Sequence, residues 1–250
     1  MNELSIEIYP INKKAEVLMN LYPPVLANKF LPDWYKKQKS YKRGDINTSS
    51  VETAWGHRQA KKCPAIQEVV TQGLVIPAWT DIHIVKNHNQ WDWTIGAEVD
   101  VNDIEYQNHH QIEHMELNVI DNYGILKLNS PYYFVTPKGY GLEFQDPFYH
   151  IRRNIKLLPA RVESDIWHSV NFPFEFYEDL NKVEKGHVFI KAGEPLIICN
   201  IYKKEKNKIN LELKEYDNDF VENSINVQHA LKKSVSHSWI DYKEQSKLNL

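Results

Sequence analysis

The sequence has little cysteine and lacks long apolar runs. Cys63 and Cys199 are the two cysteines, each within an apolar stretch, and they indicate buried thiols in a reducing compartment. No segment approaches the roughly 18 consecutive apolar residues of a membrane span. Residues 1–4 also lack the basic start of a signal peptide. We therefore expect a cytoplasmic protein with no membrane contact.

Several motifs that define large enzyme classes are missing. The chain contains no glycine-rich phosphate loop, no Gly-x-Ser-x-Gly, no Cys-x-x-Cys and no His-Glu-x-x-His. P-loop nucleotide hydrolases, elbow-type hydrolases and the common zinc sites are thus largely excluded. Thirty basic against thirty-three acidic residues give a net charge of -3 without long runs of one sign. We expect no nucleic-acid partner.

The apolar residues that are present alternate in many short segments. They make up 42% of the chain, with 12% aromatic residues, enough to fill a core. Residues 74–85 are rich in apolar residues, residues 90–99 alternate between apolar and polar residues, and the polar turn between the two segments predicts a hairpin. Further strands are predicted at residues 124–128, 132–136, 142–145, 155–163, 172–177, 187–191 and 196–202. Short strands without intervening helices indicate a mainly β chain, an antiparallel barrel, sandwich or jelly roll.

We expect a single domain over residues 1–250, with three parts. Residues 1–73 form an N-terminal cover of short helices and irregular chain, in which Pro64 and Gly73 bracket one helix. Residues 74–212 form the β-barrel. Residues 213–250 form a C-terminal amphipathic helix, because apolar residues recur about every four positions. That helix docks on the barrel or in the groove of a partner.

The central segment carries a resemblance to a known family. Residues 130–142 read Ser-Pro-Tyr-Tyr-Phe-Val-Thr-Pro-Lys-Gly-Tyr-Gly-Leu and precede Asp146-Pro147. This run resembles the signature of an uncharacterised family of tailed phages and bacteria, and residues 31–35, 63–79 and 190–196 strengthen the similarity. The resemblance implies a cupin-like jelly roll (double-stranded β-helix) and a phage gene, with the host cytoplasm as its location. It supplies no catalytic residue.

A histidine-rich segment predicts a metal site. His114 and Glu116 are two positions apart, which places both side chains on one face of a strand. His150 or His168 would supply a third ligand for a divalent metal such as Fe(II), the candidate cofactor. Arg161 would then hold the far carboxylate of 2-oxoglutarate. Solvated histidines without a metal are the alternative.

A set of aromatic residues predicts a ligand site at the mouth of the barrel: Trp79, Trp91, Trp93, Tyr132 and Tyr133. The alternative is that these side chains fill the core or pair across strands. Our first hypothesis is therefore a binding module for a small molecule, a peptide or a protein partner. A non-haem metal-dependent oxygenase and a virion structural or assembly protein are the other two. The oligomeric state stays open.

Overall fold

In a computed structural model the chain is mainly β, with antiparallel sheets and few helices, as predicted. The structure describes residues 4–38, 60–87, 90–100, 103–106, 125–150, 155–176, 185–205 and 210–233. The chain divides into two compact units, Met1–Phe30 with Gln72–Glu205 and Leu31–Thr71 with Lys206–Leu250. The expectation of one domain over residues 1–250 stays a prediction.

All the strands that the structure describes lie in the first unit. They are β1 (Glu7–Pro10), β2 (Val25–Leu26), β3 (Leu74–Pro77), β4 (Ile82–Asn87), β5 (Gln90–Ile95), β6 (Ile104–Tyr106), β7 (Leu126–Val135), β8 (Tyr140–Gln145), β9 (Ile155–Leu157), β10 (Ala160–Val162), β11 (Ser169–Phe176), β12 (Lys185–Ile190) and β13 (Pro195–Lys203). The same unit contains helix α1 (Lys13–Leu21) and a 3-10 turn at Ala27–Lys29.

The strands form three antiparallel sheets. The first has the order β1-β7-β11-β9, with β6 also paired to β7. The second has the order β10-β8-β13-β3-β2, and the third has the order β12-β4-β5. The predicted hairpin is confirmed for β4 and β5, which pair along their whole length, from Ile82 with Ile95 to Asn87 with Gln90, whereas residues 74–77 of the predicted first segment form β3 in the second sheet.

Proline positions explain where the observed strands differ from the predicted ones. Pro159 separates β9 from β10, so that the single strand expected over residues 155–163 is two strands in different sheets. Pro131 has the opposite outcome, because β7 runs through it as one strand of ten residues. On one side β6 pairs with residues 126–128 and β1 with residues 132–135, and on the other side the pairing with β11 shifts register between residues 129 and 133, so Pro131 is tolerated within the strand.

The core joins all three sheets through buried aromatic rings. Phe134 lies edge-on to Tyr132 and to Phe144, and Phe144 lies edge-on to Phe172, with ring centroids 5.3 to 6.5 Å apart. Such edge-to-face contacts are a favoured geometry of aromatic pairs. The third sheet adds Ile84 and other apolar side chains to the same cluster. The inward positions of the strands are thus apolar, as the alternating pattern requires.

The second sheet also buries part of its other face. Val75 of β3 pairs directly with Ile198 of β13, and both side chains pack against Ala27. Val25 and Phe30 are partly buried and pack against the same three residues. β3 is therefore covered on both faces, and all four of its residues are buried. This explains why its sequence, Leu-Val-Ile-Pro, is continuously apolar rather than alternating.

The regular elements that the structure describes in the second unit are helices. It contains α2 (Asp33–Lys37), a 3-10 turn at Ala60–Lys62, α3 (Pro64–Thr71) and α4 (Asn218–Lys233). The Lys61 ammonium lies 5.3 Å from the centre of the Tyr35 ring, and the Lys61 N–H donates to Gln38 Oε1 at 3.0 Å. None of the helices within the described ranges combines the length and apolar content needed to cross a bilayer.

Candidate functional site

Three of the five aromatic residues predicted to bind a ligand lie in the core. Trp79 and Tyr132 are each 1% exposed and meet edge-on, with centroids 6.2 Å apart. Trp91 is 4% exposed and stacks on Phe176 at 3.6 Å with nearly parallel rings. The faces and edges of these three rings are therefore in contact with other buried rings. A ligand-binding role for them stays a prediction.

Trp93 lies on the same face of β5 as Trp91, two positions further along the strand, and packs against the edge of the same core. Its half-buried ring meets the edge of the Tyr106 ring, with centroids 5.4 Å apart. The Tyr106 hydroxyl accepts from the Trp91 N–H at 3.2 Å and donates to the Trp91 carbonyl at 2.8 Å. Because β5 is at the edge of the third sheet, Tyr106 satisfies backbone groups that would otherwise be free to pair with another strand.

Tyr133 is the member of the predicted set that faces outward. It is 43% exposed and pairs directly with Tyr9, which is 50% exposed, on the outer face of the first sheet. On its other side Tyr133 pairs with Ser169, and Trp167, 66% exposed, lies two residues before that serine. We call Tyr9, Tyr133 and Trp167 the outer aromatic face. The hydrogen bond from the Tyr9 hydroxyl to the Glu7 carboxylate raises the pKa of Tyr9 and keeps the phenol protonated.

The predicted metal ligands fall partly outside the described residues. His114 and Glu116 belong to the part of the chain that the structure does not describe. His150 Nε2 lies 3.0 Å from the Phe30 carbonyl oxygen, so that nitrogen carries a proton and donates to the backbone. His168 is exposed. Within the described ranges, no three His, Cys, Asp or Glu side chains are grouped to hold a metal ion; the metal site stays a prediction.

Arg161 makes contacts of its own on the outside of the second sheet. Its Nε donates to Glu143 Oε2 at 2.7 Å, and its guanidinium lies 5.1 Å from the centre of the Tyr202 ring. The side chain is 66% exposed. An exposed ion pair of this kind contributes about 0.2–1 kcal/mol and leaves the guanidinium accessible. The cosubstrate role of Arg161 stays a prediction.

The segment that carries the family resemblance forms a braced turn between β7 and β8. The Thr136 hydroxyl donates to the Tyr140 carbonyl and meets the buried Ser164 hydroxyl, each at 2.9 Å. Gly139 has a φ of +84°, a conformation that glycine adopts without strain, and its N–H donates to Asp165 Oδ2 at 2.9 Å. The turn is thus held by the segment before β11, from a distant part of the sequence.

A lysine connects this turn to the end of β13. Lys204 Nζ lies 2.9 Å from Asp165 Oδ1 and 2.8 Å from Glu163 Oε2, and the Lys204 N–H donates to the Gly139 carbonyl. The hydrogen bond from Lys204 lowers the pKa of Asp165, with help from the Gly139 N–H. The carboxylates in turn raise the pKa of Lys204. No local pattern in the sequence indicates these partners, which are separated by 26 to 65 positions along the chain.

Two other stretches of the family resemblance lie against each other. The Ala78 N–H donates to the Glu194 carbonyl at 2.7 Å, and the Gly193 N–H donates to the Ala78 carbonyl at 2.8 Å. Asp81 Oδ1 accepts from the Ala192 N–H at 2.7 Å. The Ala-Gly-Glu-Pro turn is therefore hydrogen-bonded to the residues that follow β3, and these backbone groups of the turn stabilise the fold.

Comparison with known proteins adds no family. The chain matches no protein-family model and no curated protein. The geometry above is therefore the basis for the functional argument.

Proposed function

We propose that this chain is a binding module that holds a small molecule or a peptide on the outer aromatic face. The observation that carries this proposal is the cross-strand pair of Tyr9 and Tyr133, both about half exposed, with the more exposed Trp167 two residues before Ser169, the other cross-strand partner of Tyr133. The buried aromatics of the chain have packing partners, whereas these three rings present area to solvent. Exposed aromatic groups of this size commonly mark binding surfaces.

The surroundings of the outer aromatic face favour a neutral ligand. Further along the same face, Lys127 pairs with Glu105 at 2.9 Å and Lys156 pairs with Glu175 at 3.4 Å. Each of these pairs combines one positive and one negative charge, and the Glu7 carboxylate that accepts from the Tyr9 hydroxyl disfavours an anionic ligand. The flat side of a sugar ring, or a proline or aromatic side chain of a peptide, matches an aromatic surface with a hydroxyl at its rim, which Ser169 supplies.

The proposal includes a jelly-roll topology. β3 pairs with β13, β4 with β12, β7 with β11 and β8 with β10. These pairs are nested, as in one long hairpin of two four-strand arms, and the pairing of β8 with β13 rolls that hairpin up. The nested antiparallel pairing of these eight strands is the feature that supports a jelly roll. The same topology is what the resemblance to the cupin-like phage family implies, and we retain that family as part of the proposal.

We place the protein in the cytoplasm, that of the host cell if the gene is a phage gene. Both thiols support this location, since Cys63 and Cys199 are free and Cys199 is fully buried.

Ligand-observed saturation-transfer NMR tests the binding proposal. The probes are a panel of neutral oligosaccharides, nucleosides and short peptides rich in proline and tyrosine. We expect at least one class to give a signal with the wild type and to lose it with Tyr9→Ala/Tyr133→Ala. Stacking on one aromatic ring contributes about 1–3 kcal/mol, so the double variant should weaken binding at least tenfold.

The matched control is Phe189→Ala, which removes an aromatic ring of similar exposure from β12 in the third sheet. It should leave the signal unchanged. A panel without any binder, or binding that survives the double tyrosine variant, would contradict the proposal.

A further inference from the structure

Two histidines lie next to each other on the outer face of the third sheet. His83 is on β4 and His187 is on β12, and the strands pair so that His83 is opposite Phe189 and His187 is opposite Val85. Because side chains two positions apart on a strand point to the same side, the two histidines are diagonal neighbours on one face. Ile84, the neighbour of His83 along β4, is fully buried in the core, so this shared face points away from the core.

Both imidazole rings are accessible and lack polar partners. His187 is exposed and His83 is half-buried. Within the described ranges, the structure gives neither imidazole a hydrogen bond or an ion pair, only contacts with other rings. One of these contacts is with Phe189, whose ring centre lies 6.1 Å from that of His83. The ring nitrogens of this pair are therefore available to a ligand, whereas Nε2 of His150 already donates to a backbone carbonyl.

The spacing of the two rings matches a metal ion shared between them. A histidine nitrogen binds zinc at about 2.0–2.1 Å, which places each ring centre about 3.2 Å from the ion and the two ring centres about 5–6.4 Å apart. The ring centres of His83 and His187 are 6.1 Å apart. Their interplanar angle of 75° is compatible with a shared ion, since the lone pair of each nitrogen lies in the plane of its own ring.

We infer that His83 and His187 form a two-histidine site for a divalent transition metal such as Zn²⁺. Neutral imidazole suits zinc, copper and nickel, whereas magnesium and calcium prefer oxygen ligands. Two protein ligands are fewer than the three or four of catalytic and structural zinc sites, so water or a donor from another molecule completes the coordination and the ion exchanges readily. The site is on a different sheet from the outer aromatic face and does not depend on the proposed binding function.

Proton–nitrogen NMR of the imidazole rings, recorded while the full chain is titrated with Zn²⁺, tests this inference. The method gives each histidine its own signals, so the other histidines of the chain do not obscure the pair. We expect the signals of His83 and His187 to change together, with one dissociation constant and one ion for the pair. Mg²⁺ at the same concentrations should change neither signal.

Single variants show whether the two rings bind as one site. In His83→Gln the His187 signal should require at least tenfold more Zn²⁺, and His187→Gln should have the same effect on His83, because a second ligand on the same surface raises the affinity well above that of one imidazole. His168→Gln, which removes another exposed histidine, is the matched control and should leave the dissociation constant unchanged. Near-ultraviolet circular dichroism checks that the variants keep the fold.

Two results would overturn the inference. One is a wild type in which His83 and His187 respond independently, each only at the Zn²⁺ concentration that changes His168, as expected of separate solvated imidazoles. This result requires no variant, so it is decisive even if a substitution disturbs the fold. The other is a His187 signal that responds to Zn²⁺ in His83→Gln as it does in the wild type.

Discussion

We expect Gly73→Ala to lower the free energy of unfolding for two reasons, backbone strain and steric overlap. Gly73 has a φ of +77°, a region in which residues with a Cβ lose about 1–2 kcal/mol. A Cβ at this position would also overlap the Cys199 carbonyl oxygen and Asn200 Oδ1. The carbonyl cannot move freely, because Cys199 pairs with Leu74 in the second sheet. Overpacking of this kind costs about 1–3 kcal/mol more.

Gly139→Ala measures the backbone strain without the steric overlap. Gly139 has nearly the same backbone conformation, with a φ of +84°, but an added Cβ would meet nothing within 4 Å. Alanine also restricts the unfolded chain, which offsets about 0.4–1 kcal/mol of the free energy lost by placing a Cβ in the left-handed backbone conformation. We therefore expect Gly139→Ala to cost about 0.5–1 kcal/mol and Gly73→Ala about 2–4 kcal/mol.

Urea unfolding followed by tryptophan fluorescence measures both values. The slope of free energy against urea should be unchanged, since neither substitution alters the surface exposed on unfolding. The reasoning is refuted if the two variants lose equal stability, within about 0.5 kcal/mol, because the overlap at Gly73 would then have no effect.

Three further predictions concern packing, thiol reactivity and pH. Trp91→Ala should lower the free energy of unfolding by about 3–5 kcal/mol, whereas Tyr133→Ala should change it by less than about 1 kcal/mol, and equal losses would contradict the assignment of one ring to the core. Cys63, which is partly exposed, should react with a thiol reagent in the native protein at pH 8. Cys199 should react only on unfolding, because burial raises the pKa of its thiol, and its labelling in the native state would contradict that burial. Asp165→Asn should lower the thermal midpoint at pH 7. A neighbouring lysine lowers the pKa of this carboxyl from its usual 3.8, so the stabilisation is present above pH 3.8 and is lost as the pH falls through the lowered value. The midpoints of wild type and variant should therefore converge in acid, and a difference that persists there would show that the charge is not responsible.

Much of the β architecture could be predicted because it depends on local patterns. Alternation predicted the β4–β5 hairpin, and Pro64 with Gly73 correctly bracketed α3. Helix α1 was not predicted, since it buries Ala15 and Leu18 alone and has a weak apolar pattern. Its N-cap was readable in principle, because the Asn12 side chain accepts from the Ala15 N–H.

The candidate site could be predicted only in part. Tyr132 and Tyr133 are neighbours of the same residue type, and strand alternation requires one to face inward and one outward without saying which. The structure assigns Tyr132 to the core and Tyr133 to the surface, where its partner Tyr9 comes from a strand more than 120 positions earlier. Contacts of this range depend on the complete sheet and leave no local trace in the sequence.

The pairing of β3 with β13 has a consequence for synthesis on the ribosome. Leu74 pairs with Cys199, about 125 residues later, so β3 lacks its main neighbour until most of the chain has been made. At about 5–20 residues per second, that interval is roughly 6–25 s. Throughout it, the edge of an entirely apolar strand that later pairs with β13 is open to another chain, which is the condition that favours aggregation. We expect the nascent protein to depend on chaperones for longer than a protein of equal size with local pairing.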